Sequence, residues 1–155
     1  RVPLIASWPS GIKKPGRVVD GLVEFSDLMP TLCEVAGAEL PSNYPGDGSS
    51  IVPLLQDNAS VRKKDWIYIW YSRTGHSDRG HVMVRNKKYS LLAKNNGGDS
   101  TLTRYNGPFS GKKLKDSALS KQELTIKQQF EAIRARLAKT RLLSVSSEIR
   151  TKLKK

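Results

Sequence analysis

The first apolar residues of the chain form a short continuous run rather than an alternating pattern. The run covers residues 2–8 and is closed by the turn sequence Pro9-Ser10-Gly11. Such a run predicts a strand that is buried on both faces and therefore needs a neighbour on each side. Few other strand patterns occur before residue 66. We therefore expect the rest of this sheet to lie upstream, in a longer protein.

A helix is predicted directly after Ser26-Asp27, since both side chains are suited to capping a helix N-terminus. Gly37 is placed to end it. Residues 38–48 have the composition of a loop, and residues 49–55 indicate one or two helical turns. The apolar stripe of the main helix consists of Leu28, Leu32 and Val35. If the chain folds alone, we expect this stripe and residues 2–8 to form an exposed apolar patch.

The second half of the chain predicts a small antiparallel sheet and one long helix. Residues 66–71 are β-branched and aromatic, and residues 81–92 form two strand patterns joined at Asn86-Lys87. Ser120 and Glu123 have the spacing of a capping box. The apolar positions that follow recur at helical spacing, and they are Ile126, Phe130, Ile133 and Leu137. We expect this stripe to pack on the sheet.

These elements predict an α/β architecture in three parts. Residues 1–64 contribute one strand and helices to an incomplete larger domain, and residues 65–143 form the sheet-and-helix subdomain. Residues 144–155 are a basic, flexible tail.

Net charge and cysteine content exclude only a few classes of function and site. Twenty-seven Lys and Arg against fourteen Asp and Glu give a net charge of +13, which favours polyanions as ligands. A basic tail is more often a solvated surface. Cys33 is the only cysteine, so this chain by itself forms no disulfide and no cysteine-based zinc site. No apolar run is long enough to predict a membrane span.

Three segments in order resemble the sulfatase family of the alkaline phosphatase superfamily. They are Arg1-Val2-Pro3-Leu4-Ile5-Ala6-Ser7-Trp8-Pro9, then residues 19–32 (VDGLVEFSDLMPTL), then Ala36-Gly37 with Asp47-Gly48-Ser49-Ser50. Residues 84–92 (VRNKKYSLL) are similar to a later strand pair of that family. The resemblance covers roughly residues 1–140 and concerns the C-terminal portion alone. It implies the C-terminal part of a sulfatase fold.

The resemblance implies hydrolysis of a sulfate ester by a formylglycine held beside calcium. The formylglycine comes from the Cys of a Cys-x-Pro-x-Arg motif, which this sequence lacks, and Cys33 is interpreted as a packing residue. We expect the reaction centre to lie in an upstream half and this chain to be inactive alone, with no bound cofactor. The family also implies a sulfated small molecule or glycan as substrate and a periplasmic, secreted or lysosomal location.

Residues 72–81 form a loop between two strands and contain both histidines and two arginines. Arg73 and His76 are the candidate substrate-binding residues, because cationic side chains on a loop suit an anionic substrate. The alternative is a polar hairpin loop without a ligand. The aspartates before residue 60 lack the spacing of a calcium loop, so no metal site is predicted.

Two functions remain open at this point. The first is the C-terminal fragment of an arylsulfatase-like hydrolase, which shapes a substrate cleft and requires the upstream half. The second is a basic, non-enzymatic module that binds nucleic acid or acidic polysaccharide. No recognised nucleic-acid motif accompanies the charge, which favours the first. A truncated gene model of an intact sulfatase is a further possibility.

Overall fold

The computed structural model describes residues 3–44, 46–58, 60, 62, 64–73, 80–95, 97–107 and 110–140. The chain divides into two compact units, Arg1–Ile67 and Tyr68–Lys155. The predicted basic tail lies outside the described residues, so its flexibility stays a prediction.

The first unit is built around one helix. A 3-10 turn, Phe25–Asp27, leads directly into helix α1, Leu28–Ala36. The helix ends where Gly37 adopts a left-handed conformation with φ of 67°, as the sequence predicts. The single-turn helix α2, Val52–Leu55, confirms the short helical segment.

The predicted strand at residues 2–8 is wrong for the part of it that the structure describes. Residues 3–8 form no strand, and Ile5 is 91% exposed. The physical reason is that a strand needs hydrogen-bonding partners. Among the described residues, no strand begins before Ile67. The apolar run therefore lies on the surface.

The second unit contains a five-stranded sheet with the spatial order β1-β2-β3-β4-β5. The strands are β1 Ile67–Tyr71, β2 His81–Arg85, β3 Tyr89–Lys94, β4 Thr101–Tyr105 and β5 Gly111–Lys113. The pairs from β2 to β5 are antiparallel. The first three strands match the sequence patterns, whereas β4 and β5 were not predicted.

Helix α3, Lys121–Thr140, packs on β2 and β3 and confirms the predicted sheet-and-helix core. Val84 pairs with Leu91, and Leu91 with Leu102, which gives a row of fully buried side chains across three strands. Phe130 of α3 is only 3% exposed and belongs to the same core. The capping box forms as expected, because Ser120 and Glu123 exchange hydrogen bonds.

Candidate functional site

The predicted substrate-binding loop follows β1. Arg73 lies in a turn there and is exposed to solvent. His76 lies outside the described residues, so the structure does not test whether the two side chains converge. Their role stays a prediction.

A connected group of polar side chains surrounds Asp27, whose side chain is completely buried. Its Oδ2 accepts hydrogen bonds from the backbone N–H of Glu24 at 2.9 Å and from Arg62 at 2.7 Å. Its Oδ1 accepts from the backbone N–H of Ser49 at 2.9 Å and from Lys64 at 2.5 Å. We call Glu24, Asp27, Arg62 and Lys64 the ion cluster.

The two cations of the ion cluster are themselves buried, with side chains 4% exposed for Arg62 and 9% for Lys64. Arg62 also donates to the carbonyl oxygen of Leu22, and Lys64 also pairs with Glu24. Burial raises the pKa of Glu24, and the ammonium group of Lys64 opposes this increase. The cluster therefore balances two carboxylates against two cations in a water-poor environment.

The ion cluster and its neighbours connect three segments of the first unit. These are the start of α1, the loop at residues 48–51, and the stretch that carries Arg62 and Lys64. The hydroxyl of Thr31 donates to the backbone carbonyl of Asp27 and accepts from the backbone N–H of Ile51. A Cβ on Gly48 would lie 1.8 Å from the carbonyl oxygen of Ser26, so only glycine permits this close approach. The loop at residues 48–51 is thereby held against the start of α1.

The interpretation of Asp27 as the cap of α1 needs a correction. Asp27 occupies the N-cap position of α1, but its side chain makes no capping hydrogen bond to that helix. It closes a capping box with Glu24 around the preceding 3-10 turn instead. The three-residue spacing of these two acids is the signal in the sequence that indicates this arrangement.

Two of the three residues in the predicted apolar stripe of α1 are exposed, as predicted for the chain folding alone, whereas Leu28 is half-buried. Leu32 is 64% exposed and Val35 42%, whereas the buried residues of the helix are Pro30 and Thr31. We define the α1 apolar face as Phe25, Met29, Leu32 and Val35, all of which are exposed.

The residues present do not fit a formylglycine and calcium centre. Cys33 is half-buried within α1 and is followed by Glu34-Val35-Ala36 rather than by the x-Pro-x-Arg that the modification requires. Both oxygens of Asp27 are already occupied by two donors each. Within the described residues, no group of three or more His, Cys, Asp or Glu is placed to hold a metal ion. No described helix is long and apolar enough to cross a membrane.

Comparison with known proteins identifies the class to which this arrangement belongs. A family model described as N-sulphoglucosamine sulphohydrolase, C-terminal, matches residues 1–138. The chain belongs to this family of sulfatase C-terminal regions, which confirms the resemblance seen in the sequence and the α/β fold class.

Individual sulfatases are similar over parts of the chain. The ulvan-active sulfatase of Formosa agariphila is 38% identical over 97 residues, which are 59% of this chain and 18% of that protein. The steryl-sulfatase of Mus musculus is 37% identical over 68 residues, or 44% of this chain and 11% of the relative. Arylsulfatase A of Bos taurus is 38% identical over 89 residues, or 57% and 17%. The matched segments thus span less than a fifth of each relative.

Proposed function

We propose that this chain is the C-terminal part of a sulfuric ester hydrolase and that it acts only together with an upstream half that carries the reaction centre. The family match over residues 1–138 is the observation that carries this proposal. The relatives named above are all sulfatases and are more than five times longer than the matched segment. In the complete enzyme, formylglycine and calcium would come from the upstream half.

The α1 apolar face is the surface that we assign to contact with the upstream half. Leu32 is 64% exposed and Met29 51%; full burial of such a side chain from water contributes about 1.5–3 kcal/mol, and roughly half of that is still to be gained at each. The ion cluster surrounds the N-cap of α1, and Thr31 within the helix is hydrogen-bonded to Ile51, so the helix is already positioned when the apolar face is free. A contiguous apolar face of this kind favours association over solvation.

The loop that contains Arg73 and His76 is proposed to line the substrate cleft of the complete enzyme. The exposed guanidinium group of Arg73 offers two parallel N–H donors, a geometry that matches the oxygens of a sulfate ester. A sulfated small molecule or glycan is the proposed substrate class. The proposed location is the periplasm, the lysosome or the secreted fraction.

The test is sulfate release from an aryl sulfate, with calcium present, by the chain alone, by the upstream half alone and by their mixture. Activity in the mixture only supports the proposal. Activity of the chain alone would show that the reaction centre lies within these residues and would overturn it. An inactive mixture in which the two halves bind each other would also count against the proposal.

Matched variants separate the docking surface from a general loss of folding. Leu32→Lys puts a charge on the α1 apolar face and should abolish binding of the upstream half. Leu124→Lys is the control, since Leu124 is likewise an exposed helical leucine, 49% exposed on α3. Equal loss of binding in both variants would refute the assignment of this surface.

Substitution of Arg73 tests the cleft loop in the active mixture. Arg73→Lys keeps the charge but loses the planar pair of donors, and Arg73→Gln loses both. We expect KM to rise progressively through the two variants while kcat changes less. An unchanged KM in Arg73→Gln would remove this residue from the cleft.

A further inference from the structure

The net positive charge of the chain comes entirely from its second unit. Residues 1–67 contain seven Lys and Arg against eight Asp and Glu, whereas residues 68–155 contain twenty against six. Overall solubility needs no such separation, because charge of either sign on either unit would serve it. A concentrated positive charge instead creates a local field that attracts polyanions.

Acidic side chains do little to neutralise this charge. Every described acid of the second unit is already engaged by one cation, in the pairs Lys94–Asp99, Arg104–Glu123, Lys127–Asp116 and Arg134–Glu131. The lysines of β5 and the segment after it form no ion pair within the part of the chain that the structure describes. Their charge is therefore available to an external partner.

These lysines are concentrated at one edge of the sheet. Strand β5 is outermost in the strand order, and Lys112 and Lys113 are both exposed on it. Lys112 is directly opposite Arg104 of β4, so two cationic side chains lie side by side on one face. Lys113 projects to the other face, and the exposed Lys115 follows the strand. We call Lys112, Lys113 and Lys115 the basic edge, and Arg104 is left out because it is already paired with Glu123.

Protection of the sheet edge is the simplest alternative explanation. Charged side chains, lysines above all, prevent an outer strand from pairing with another molecule. That role requires only charge, so a glutamate at the same position would serve it as well. The two explanations therefore differ in their response to charge reversal.

We infer that the basic edge binds a sulfated polysaccharide and thereby holds a polymeric substrate on the enzyme. The inference rests on the proposed function, since a sulfuric ester hydrolase acts on sulfate-bearing molecules. Lysine ammonium groups spaced along an extended strand suit sulfates that are distributed along a chain. Single-stranded nucleic acid is bound with the help of aromatic side chains on which bases stack.

Tyr105, an aromatic residue beside the basic edge among those that the structure describes, is poorly placed for base stacking. Tyr105 is paired with Gly111, and the guanidinium group of Arg85 covers one face of its ring at 4.3 Å. Its hydroxyl is hydrogen-bonded to Ser90 at 3.0 Å. Residues 110–115 contain no aromatic residue. Among the described residues beside the basic edge, charge is therefore not accompanied by a free stacking surface, which favours a sulfated glycan over nucleic acid.

The experiment measures binding of fluorescent dextran sulfate to the 155-residue chain by anisotropy, with unsulfated dextran of equal length as the neutral probe. The test variant is K112E/K113E, which keeps the edge charged. The control is K13E/K139E, which makes the same change in net charge at exposed lysines away from β5. Titrations are repeated between about 50 and 200 mM NaCl, the range over which counterion release is easily measured.

We expect binding to dextran sulfate and none to dextran. K112E/K113E should weaken binding roughly ten- to hundredfold and reduce the slope of log affinity against log salt by about two, while K13E/K139E changes both much less. Equal losses in the two variants would show that total charge alone matters and would overturn the inference. Tighter binding of the unaltered chain to a single-stranded DNA of matched charge than to dextran sulfate would also overturn it.

Failure of this inference and failure of the proposed function give different results. If the basic edge has no role in binding, K112E/K113E binds dextran sulfate as the unaltered chain does, yet the mixture of halves still hydrolyses an aryl sulfate. If the chain is no part of a sulfatase, the mixture is inactive whatever the chain binds. Full activity of K112E/K113E on the small ester, with reduced turnover of a sulfated polymer, is the result expected when both hold.

Discussion

Replacement of Asp27 by Asn tests how strongly the ion cluster determines the first unit. Each carboxylate oxygen of Asp27 accepts from one backbone N–H and one cation. Whichever way an Asn amide is turned, its NH2 group faces two donors. The substitution also leaves Arg62 and Lys64, with side chains 4% and 9% exposed, one negative charge short.

The expected cost follows from that burial. Removal of one partner from a buried ion pair destabilises a protein by about 3–5 kcal/mol, because the remaining charge stays out of water without compensation. This is a large part of a typical unfolding free energy of about 5–15 kcal/mol. The figure measures the damage done by an unpaired charge. It does not measure a net gain of the pair over an apolar core.

The assay is urea unfolding at neutral pH, followed by tryptophan fluorescence. Asp57→Asn is the control, since Asp57 makes the same kind of pair with Lys14 and Arg17 at the surface. We expect a lower midpoint for Asp27→Asn with an unchanged urea slope, and no resolvable shift for the control. Equal midpoints for the two variants would refute the view that the ion cluster stabilises this unit.

Three further substitutions or conditions test other parts of the fold. Phe130→Ala should lower the unfolding free energy by about 3–5 kcal/mol in a urea titration, whereas Leu124→Ala on the exposed side of the same helix should cost far less. Gly48→Ala should destabilise the first unit, because its Cβ would lie 1.8 Å from the backbone oxygen of Ser26 and the backbone would have to shift. Gly107→Ala, which meets open space, should be tolerated. Hydrogen bonds from Ser120 lower the pKa of Glu123. The contribution of ionised Glu123 to the stability of the fold should therefore be complete above its ordinary pKa of 4.5 and be lost as the pH falls through the lowered value. A Glu123→Gln chain should show a flatter decline of melting temperature with acid.

The second unit was predictable where each element carries its own local signal. The capping box at Ser120 and the apolar spacing that includes Phe130 are contained within one helix. Strand β5 has no such signal, because its three residues, Gly111–Lys113, include no apolar side chain. It is a strand because β4 offers a free edge to pair with, and that information lies in the fold rather than in the segment.

The ion cluster was missed for a different reason. Asp27 has ordinary features of a helix cap, and local reasoning stops there. Its partners Arg62 and Lys64 are 35 and 37 residues away, in a stretch with no recognisable element. The burial of a carboxylate cannot be read from residue type, since aspartate is rarely buried unless it is paired. The substrate-binding prediction for Arg73 and His76 stays a prediction.

In helix α1, the apolar residues of the sequence pattern are not the residues that this structure buries. The sequence predicts that Leu32 and Val35 are exposed when the chain folds alone, and both are exposed in this structure while Thr31 and Asp27 are buried. A helix normally exposes its polar side, and here that side is held by the ion cluster and by the hydroxyl of Thr31. Polar contacts within the chain thus fix the position of the helix, and its exposed apolar side is the surface that we propose for contact with the upstream half. This division explains why Asp27→Asn should impair folding, whereas Leu32→Lys should impair only assembly with the upstream half.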